Sequence, residues 1–193
     1  MDPIVVCQIR IGCRPCPLLP QRLQNQATTG HFPVTGPNKV PSAMPPEEIA
    51  RSLGVSFEPL PPLYLNLCVR SGMQLITSGH VSELKGVLGK GVTVEQGYEA
   101  AKDCAKKILR SVYNTHGTLN GLRVLKVFGC VYSAPDFTDQ HLVINGCSDL
   151  LHEIFGKTGD GYHARSALGF AALPTGAAVE VEAIFEIKDR IAT

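Results

Sequence analysis

The sequence predicts an α+β domain in which two helices cover one face of a mixed β-sheet. Two long segments carry apolar residues at three- and four-residue steps, as amphipathic helices do, and shorter β-rich segments surround them. The predicted order is β-β-α-β-α-β-β. Because two helices can cover only one face of a sheet of this size, the other face needs a partner, which predicts oligomerisation.

The two long helices have clear boundary signals. Thr93 and Gln96 have the spacing of a capping box, in which two side chains bind free N–H groups of the first turn. The first helix follows them and is closed by Gly117, and the second runs from about residue 140 to 155 and ends at Gly156. The apolar stripe of the first helix consists of Ala101, Cys104, Ala105, Ile108, Leu109 and Val112. That of the second consists of Val143, Ile144, Cys147, Leu151, Ile154 and Phe155.

Five segments have the composition or alternation of strands. A short helix over residues 47–53, closed by Gly54, precedes them. The first two strands form a hairpin through Ser71 and Gly72. The last strand carries apolar residues on one side and three glutamates on the other, as a strand with one buried face does. The predicted strands are residues 63–70, 73–77, 122–132, 164–173 and 177–187.

Residues 1–46 differ from the rest of the chain, because their nine prolines prevent regular structure. We expect a poorly ordered extension here and a folded domain over residues 47–193. The extension is basic and poor in acidic residues, as transit peptides are, but it is poor in serine and broken by proline. A cytoplasmic location is expected, with mitochondrial import as the alternative. Cys13 and Cys16 have the spacing of half a redox or zinc site, without a second pair.

Composition disfavours several classes of function. The formal charge is +1 and no basic stripe is visible, which argues against nucleic acid as the main partner. No run of about 18 apolar residues is present, so a membrane span is not expected. The seven cysteines are irregularly spaced. This spacing favours reduced cysteines that pack in the core over a framework of disulfides. His141, His152 and His163 lack metal-ligand spacing, so no metal site is predicted.

Arg165 and Glu180 are the first candidates for chemistry. Arg165 lies near the start of a predicted strand, after a glycine-rich loop, where a guanidinium can hold a carboxylate at two points. Glu180, in the last strand, could position or deprotonate a water. The alternative is that the two side chains form a structural salt bridge between strands.

Four separate motifs stand in order along the chain: Thr77-Ser78-Gly79, then Ser133–Gln140 with Val143–Gly146, then Arg165-Ser166, and finally Leu173-Pro174 with Val179–Ile184. In their order and spacing they resemble the Rid family, also called the YjgF or L-PSP family. The resemblance covers roughly residues 47–187, and the second motif resembles the YjgF-like branch that is customarily named for endoribonucleases.

The resemblance implies a chorismate-mutase-like fold and a homotrimer whose sheets line a central barrel, with a ligand cleft between each pair of subunits. It implies that Arg165 anchors the carboxylate of a small metabolite, that Glu180 orients a water, and that Ser78 and Gly79 line the cleft. The family activity it suggests is hydrolysis of enamines and imines to keto acids and ammonia. That chemistry uses no metal or organic cofactor.

The sequence departs from the family's deaminases around this pocket. Ser148 stands where they have asparagine, and Ala167 stands where they have cysteine or serine. Leu65 stands at the position of their tyrosine, with Tyr64 beside it as a replacement if the strand shifts by one residue. Three functions therefore remain: an enamine or imine hydrolase, a trimeric module that binds ligand without turnover, and an endoribonuclease. The last is disfavoured, because we find no nucleophile–base pair and no basic stripe.

Overall fold

The computed structural model describes residues 44–188. Most of the predicted extension and the Cys13–Cys16 pair lie outside the described residues. No helix in the described range is long and apolar enough to cross a membrane.

The described chain forms three α-helices and eight strands, with one π-helical turn at Gly156–Asp160 and one 3-10 turn at Pro174–Gly176. The helices are α1 (Pro46–Ser52), α2 (Val94–His116) and α3 (Gln140–Phe155). The strands are β1 (Cys68–Ser71), β2 (Gln74–Thr77), β3 (His80–Val81), β4 (Val87–Leu88), β5 (Gly91–Val92), β6 (Leu122–Tyr132), β7 (Ala164–Phe170) and β8 (Val179–Ile187).

The main sheet is mixed. Its strands lie in the order β1, β2, β8, β6, β7, and β3 also pairs with β8. Strands β6 and β7 run parallel, whereas the other pairs in this sheet are antiparallel. Strands β4 and β5 form a separate parallel pair. Helices α2 and α3 contact each other and the same sheet, so the predicted α+β class with a mixed sheet is confirmed.

The core lies between this sheet and the two long helices. Alternate residues of β8 are buried there, and the ring of Phe185 lies 6.2 Å from that of Phe155 on α3. Ile108 and Leu109 of α2 are fully buried against them. Each such aliphatic side chain contributes about 1.5–3 kcal/mol by leaving water. Cysteines share this core, and burial raises the pKa of the Cys147 thiol to about 12.

Several strand boundaries differ from the prediction. Residues 63–67 are not in a strand, because Tyr64 and its neighbours are exposed and no neighbouring strand pairs with them. Strand β7 ends at Phe170, and β8 begins only at Val179, because a turn occupies the residues between them. Strands β3, β4 and β5 were not predicted, since two residues are too few to show an alternating pattern.

The capping box at the start of α2 is formed as predicted. The Thr93 N–H donates to Gln96 Oε1 at 3.0 Å, and the Gln96 N–H donates to Thr93 Oγ1 at 3.3 Å. We expect Thr93→Ala to lower the free energy of unfolding by about 1 kcal/mol, because one helix N–H loses its partner. Urea unfolding measures this, with the exposed Thr158→Ala as control. Equal stability of the two variants would contradict a stabilising cap.

The sheet face turned away from α2 and α3, which we call the open face, carries apolar side chains exposed to solvent. Leu168 and Phe170 of β7 are 48% and 37% exposed, and Ile76 of β2 is 37% exposed. The ring of Phe128 on β6 lies 6.5 Å from that of Phe170 in an edge-to-face arrangement. Glu180, Glu182 and Glu186 of β8 also project from this face, so the exposed apolar side chains of β2 and β7 lie on either side of them. Exposed apolar side chains on an uncovered sheet face are typical of a surface that another chain covers.

Candidate functional site

Arg165 lies on β7 with its guanidinium held against α3. Its Nη1 donates to Asn145 Oδ1 at 2.8 Å and to Ser148 Oγ at 3.1 Å. The parallel β6–α3–β7 unit explains this arrangement, because the crossover helix packs over the strands it connects. A cavity of about 310 Å³ opens beside the guanidinium, and we call it the Arg165 cavity. It is lined by Asn145, Ser148, Asp149 and His152 of α3 and by Tyr162, His163 and Arg165.

Arg165 and Glu180 do not form a salt bridge within the chain. Arg165 pairs with Val127 on β6, which pairs with Ala183 on β8, so these three side chains share the helix-covered face. Glu180 lies three residues from Ala183 and therefore projects from the open face. Among residues 44–188, Arg165 makes no ion pair with any carboxylate. Since none of the described carboxylates occupies it, the guanidinium is available to an anionic ligand.

Ser148 and His163 meet in the Arg165 cavity, which the sequence reasoning missed. Ser148 Oγ lies 3.1 Å from His163 Nε2, and His163 Nδ1 lies 2.6 Å from the carbonyl oxygen of Gly161. Burial lowers the pKa of His163, and the Gly161 carbonyl opposes that shift only in part. The imidazole is therefore neutral at pH 7. The two residues are fifteen positions apart on different elements, so their contact could not be read from local sequence.

A second histidine lines the same cavity. The ring of His152 lies 5.2 Å from that of His163 and 6.5 Å from that of Tyr162. Its Nδ1 is 3.9 Å from Asp149 Oδ1, and burial lowers its pKa more than the carboxylate raises it. Within residues 44–188, no three His, Cys, Asp or Glu side chains lie close enough together to hold a metal ion.

Ser78, Gly79 and Glu180 form a second group, which we call the hairpin-end group. Ser78 Oγ donates to the Asn66 carbonyl at 2.8 Å, which ties the end of the hairpin to the preceding segment. A Cβ atom on Gly79 would lie 1.9 Å from Glu180 Oε1, so the Glu180 carboxylate can occupy this position only because residue 79 has no side chain. Burial raises the pKa of Glu180, and the nearby Glu182 adds to the shift.

His80 supports the hairpin-end group from inside the fold. It is 5% exposed, and its Nδ1 donates to the Ser78 carbonyl at 2.8 Å. The other ring nitrogen lies 2.8 Å from Ser111 Oγ on α2. Burial lowers the pKa of His80, so the ring is neutral at pH 7. His80 therefore fixes the hairpin backbone and does not face the Arg165 cavity.

The predicted site residues thus fall into separate places within one chain. Arg165 and Ser148 lie together on the helix side of the sheet, whereas the hairpin-end group lies at the open face. Tyr64 belongs to neither, because its side chain is fully exposed.

Comparisons with known proteins agree with the motifs. The sequence family described as Endoribonuclease L-PSP matches residues 60–187. Protein TCP17 from Trypanosoma cruzi is 42% identical over 128 residues, which are 63% of this chain and 79% of that protein. Protein Atu1372 from Agrobacterium tumefaciens, of unknown function, has a TM-score of 0.67 and 38% identity, covering 75% of this chain and 94% of its own. A candidate endoribonuclease from Shewanella oneidensis MR-1 shares the fold, with a TM-score of 0.67 and 24% identity over 74% of this chain and 99% of its own. The chain therefore belongs to the endoribonuclease L-PSP family, which is the Rid or YjgF family that its motifs resemble.

Proposed function

We propose that this protein binds a small carboxylate-bearing metabolite in clefts between the subunits of a homotrimer, with Arg165 as the anchor. The observation that carries the proposal is that neutral side chains orient the Arg165 guanidinium while no described carboxylate neutralises its charge. Asn145 and Ser148 orient its Nη1, and none of the described carboxylates pairs with it. A half-buried guanidinium held in place by neutral groups retains both its charge and free N–H donors for a ligand.

The trimer supplies the reason for placing the ligand between subunits. Within one chain, the Arg165 cavity and the hairpin-end group lie on different faces of the sheet, so one chain cannot present both to a small ligand. A neighbouring copy could bring its own hairpin end and Glu180 to the mouth of the Arg165 cavity. The exposed apolar residues of the open face would then be covered in the barrel that the family resemblance implies.

We expect Leu168→Glu to dissociate the trimer, because it places a charge on the open face where three sheets would meet. Light scattering should give three times the chain mass of 20.7 kDa for the unchanged protein and the mass of a single chain for the variant. Leu142→Glu is the matched control, since Leu142 is a similarly exposed leucine on α3. A monomeric unchanged protein, or a variant that remains trimeric, would count against this assembly.

The turnover that we propose for the bound ligand is hydrolysis of an enamine or imine. Arg165 holds the carboxylate, and a water oriented by Glu180 of the neighbouring copy attacks the C=N carbon. Collapse of the resulting carbinolamine then releases ammonia and leaves the keto acid, so one water is consumed for each ammonia formed. Because its pKa is raised, Glu180 is a stronger base than an ordinary glutamate. A stronger base is better suited to take a proton from water.

A paired experiment tests the function. Calorimetric titration with 2-oxobutyrate measures carboxylate binding, and ammonia release from 2-iminobutyrate measures turnover on the same preparation. We expect both, and loss of both in Leu168→Glu because its cleft is incomplete. Binding without turnover would identify a trimeric binding module instead. Absence of binding at millimolar ligand would overturn the proposal, and RNA cleavage in a parallel assay would favour the activity that the family description names.

A further inference from the structure

The Ser148–His163 pair has the hydrogen-bond directions of a nucleophile and its base. A carbonyl oxygen can only accept, so the contact of His163 Nδ1 with Gly161 requires the proton on Nδ1. In a neutral imidazole, Nε2 then carries a lone pair, and the Ser148 hydroxyl at 3.1 Å donates its proton to it. The arrangement therefore comprises a hydroxyl, a base that accepts from it, and a third group that orients the base.

The surroundings of Ser148 favour its ionised form. The Arg165 guanidinium donates to Ser148 Oγ at 3.1 Å, which places a positive charge where an alkoxide would develop. Ser148 is 5% exposed and lines the Arg165 cavity, so a ligand would reach it from that cavity. Asn145 accepts from Arg165 through its Oδ1, which leaves its amide group to donate to a second oxygen.

The turn that presents His163 is held in one position. A Cβ atom on Gly161 would lie 2.7 Å from the Gly156 carbonyl oxygen and 2.8 Å from that of Leu151, so only glycine fits between them. The Gly161 N–H donates to the Gly156 carbonyl at 3.1 Å. The carbonyl that orients His163 therefore belongs to a closely packed turn, and the ring position does not depend on a free loop.

A second Ser–His pair in the chain shows what distinguishes this one. Ser111 Oγ lies 2.8 Å from His80 Nε2, and His80 is oriented by a backbone carbonyl in the same way. The Ser111 hydroxyl, however, also lies 3.1 Å from the Lys107 carbonyl of its own helix and has no guanidinium beside it. Of these two pairs, only that of Ser148 has a guanidinium that donates to the hydroxyl oxygen.

We propose that Ser148 and His163 form an acyl-transfer pair that hydrolyses esters whose acyl part carries a carboxylate, such as half-esters of short dicarboxylic acids. This inference rests on the proposed function, because Arg165 would hold the substrate carboxylate. Ser148 Oγ attacks the ester carbonyl carbon while its proton moves to His163 Nε2. The tetrahedral intermediate expels the alcohol, which takes that proton, and leaves an acyl-serine. Water then attacks the acyl-serine and gives a proton to His163 Nε2. The bond between the acyl carbon and Ser148 Oγ breaks, Ser148 Oγ takes that proton, and the free acid leaves.

The test uses the full chain and the 4-nitrophenyl half-ester of succinic acid. We expect release of 4-nitrophenolate above the buffer rate and, after acid quenching, a succinyl group on the peptide that contains Ser148. Ser148→Ala and His163→Gln should each lower the rate by about 100-fold or more, since a positioned base contributes about 10²–10⁴-fold. Ser111→Ala is the matched control and should retain both the rate and the adduct.

The pH profile separates catalysis from a structural role. The rate should rise with pH through a midpoint below 6.5 and then stay level, because His163 must be neutral to accept the proton and burial lowers its pKa. If His163 had only a structural role, replacing it would change the melting temperature, and the rate would show no such rise with pH.

Each outcome has a defined meaning when succinate binding is measured on the same samples. Succinate binding without ester hydrolysis above the buffer rate overturns the acyl-transfer pair and leaves the proposed function standing. A Ser148→Ala variant as fast as the unchanged protein overturns the pair as well. Hydrolysis that depends on Ser148 but keeps its full rate in Arg165→Ala overturns both the anchor and the stabilising role of the guanidinium beside Ser148.

Discussion

Replacing Arg165 with alanine is expected to lower the affinity for small carboxylates by about 30- to 1000-fold. A two-point charged contact in a partly dry cleft contributes on the order of 2–4 kcal/mol, and each 1.4 kcal/mol corresponds to a factor of about ten. Asn145 and Ser148 already orient the guanidinium, so little side-chain entropy is lost when the ligand binds. Calorimetric titration with 2-oxobutyrate measures the change, and the melting temperature of the trimer should change little.

Two further variants distinguish geometry from charge. Arg165→Lys keeps the charge but lacks the planar fork, so its affinity should lie between those of the unchanged protein and Arg165→Ala. Lys157→Ala removes an exposed cation outside the cavity lining and should change affinity by less than about 3-fold, because exposed charges are screened. If Arg165→Ala destabilises the trimer while carboxylate affinity is unchanged, Arg165 has a structural role and is not the anchor.

Gly146→Ala is expected to lower the free energy of unfolding by about 3 kcal/mol. Gly146 lies on α3 where that helix approaches α2, and a Cβ atom there would lie 1.9 Å from the Tyr98 carbonyl oxygen. That oxygen is part of the α2 backbone, so the added methyl group can be accommodated only if the two helices move apart. Overpacking of a core typically costs about 1–3 kcal/mol, and a contact with backbone lies at the upper end because no side chain can rotate away.

His141→Ala is the control for Gly146→Ala, because His141 is an exposed residue of the same helix. Alanine in a helix interior otherwise stabilises by about 0.5–1 kcal/mol relative to glycine, so the sign of the effect at Gly146 is itself diagnostic. Urea unfolding of both variants gives the comparison. A Gly146→Ala protein as stable as the unchanged chain would mean that the two helices do not approach this closely.

Local sequence signals were sufficient for the long elements. The boundaries of α3 and β6 agree with the predicted residues 140–155 and 122–132, and the Thr93 cap begins α2. These segments are long enough for the apolar period to repeat, and capping and glycine signals stand at their ends. Residues 63–67 alternate in the same manner but are not a strand, because pairing depends on a neighbouring strand and not on the pattern itself.

Recognition of the site depended on motifs. Arg165 and Glu180 were candidates from their positions in the predicted strands, but only the family signature favoured a ligand site over a structural salt bridge. The hairpin residues Ser78 and Gly79 were selected because they match that signature. The same motifs included Gly146, whose requirement for glycine becomes visible only where α2 and α3 approach each other.

The sequence by itself determined which residues form α2, α3 and β6 and that one sheet face remains uncovered by helices. Only the tertiary structure decided that Ser148 meets His163 and that Glu180 lies on the other face from Arg165. Ser148 and His163 come from different elements, and they meet because α3 packs across the parallel β6–β7 pair. Element type follows from interactions a few residues apart, whereas side chains from different elements meet through packing, which local periodicity does not encode.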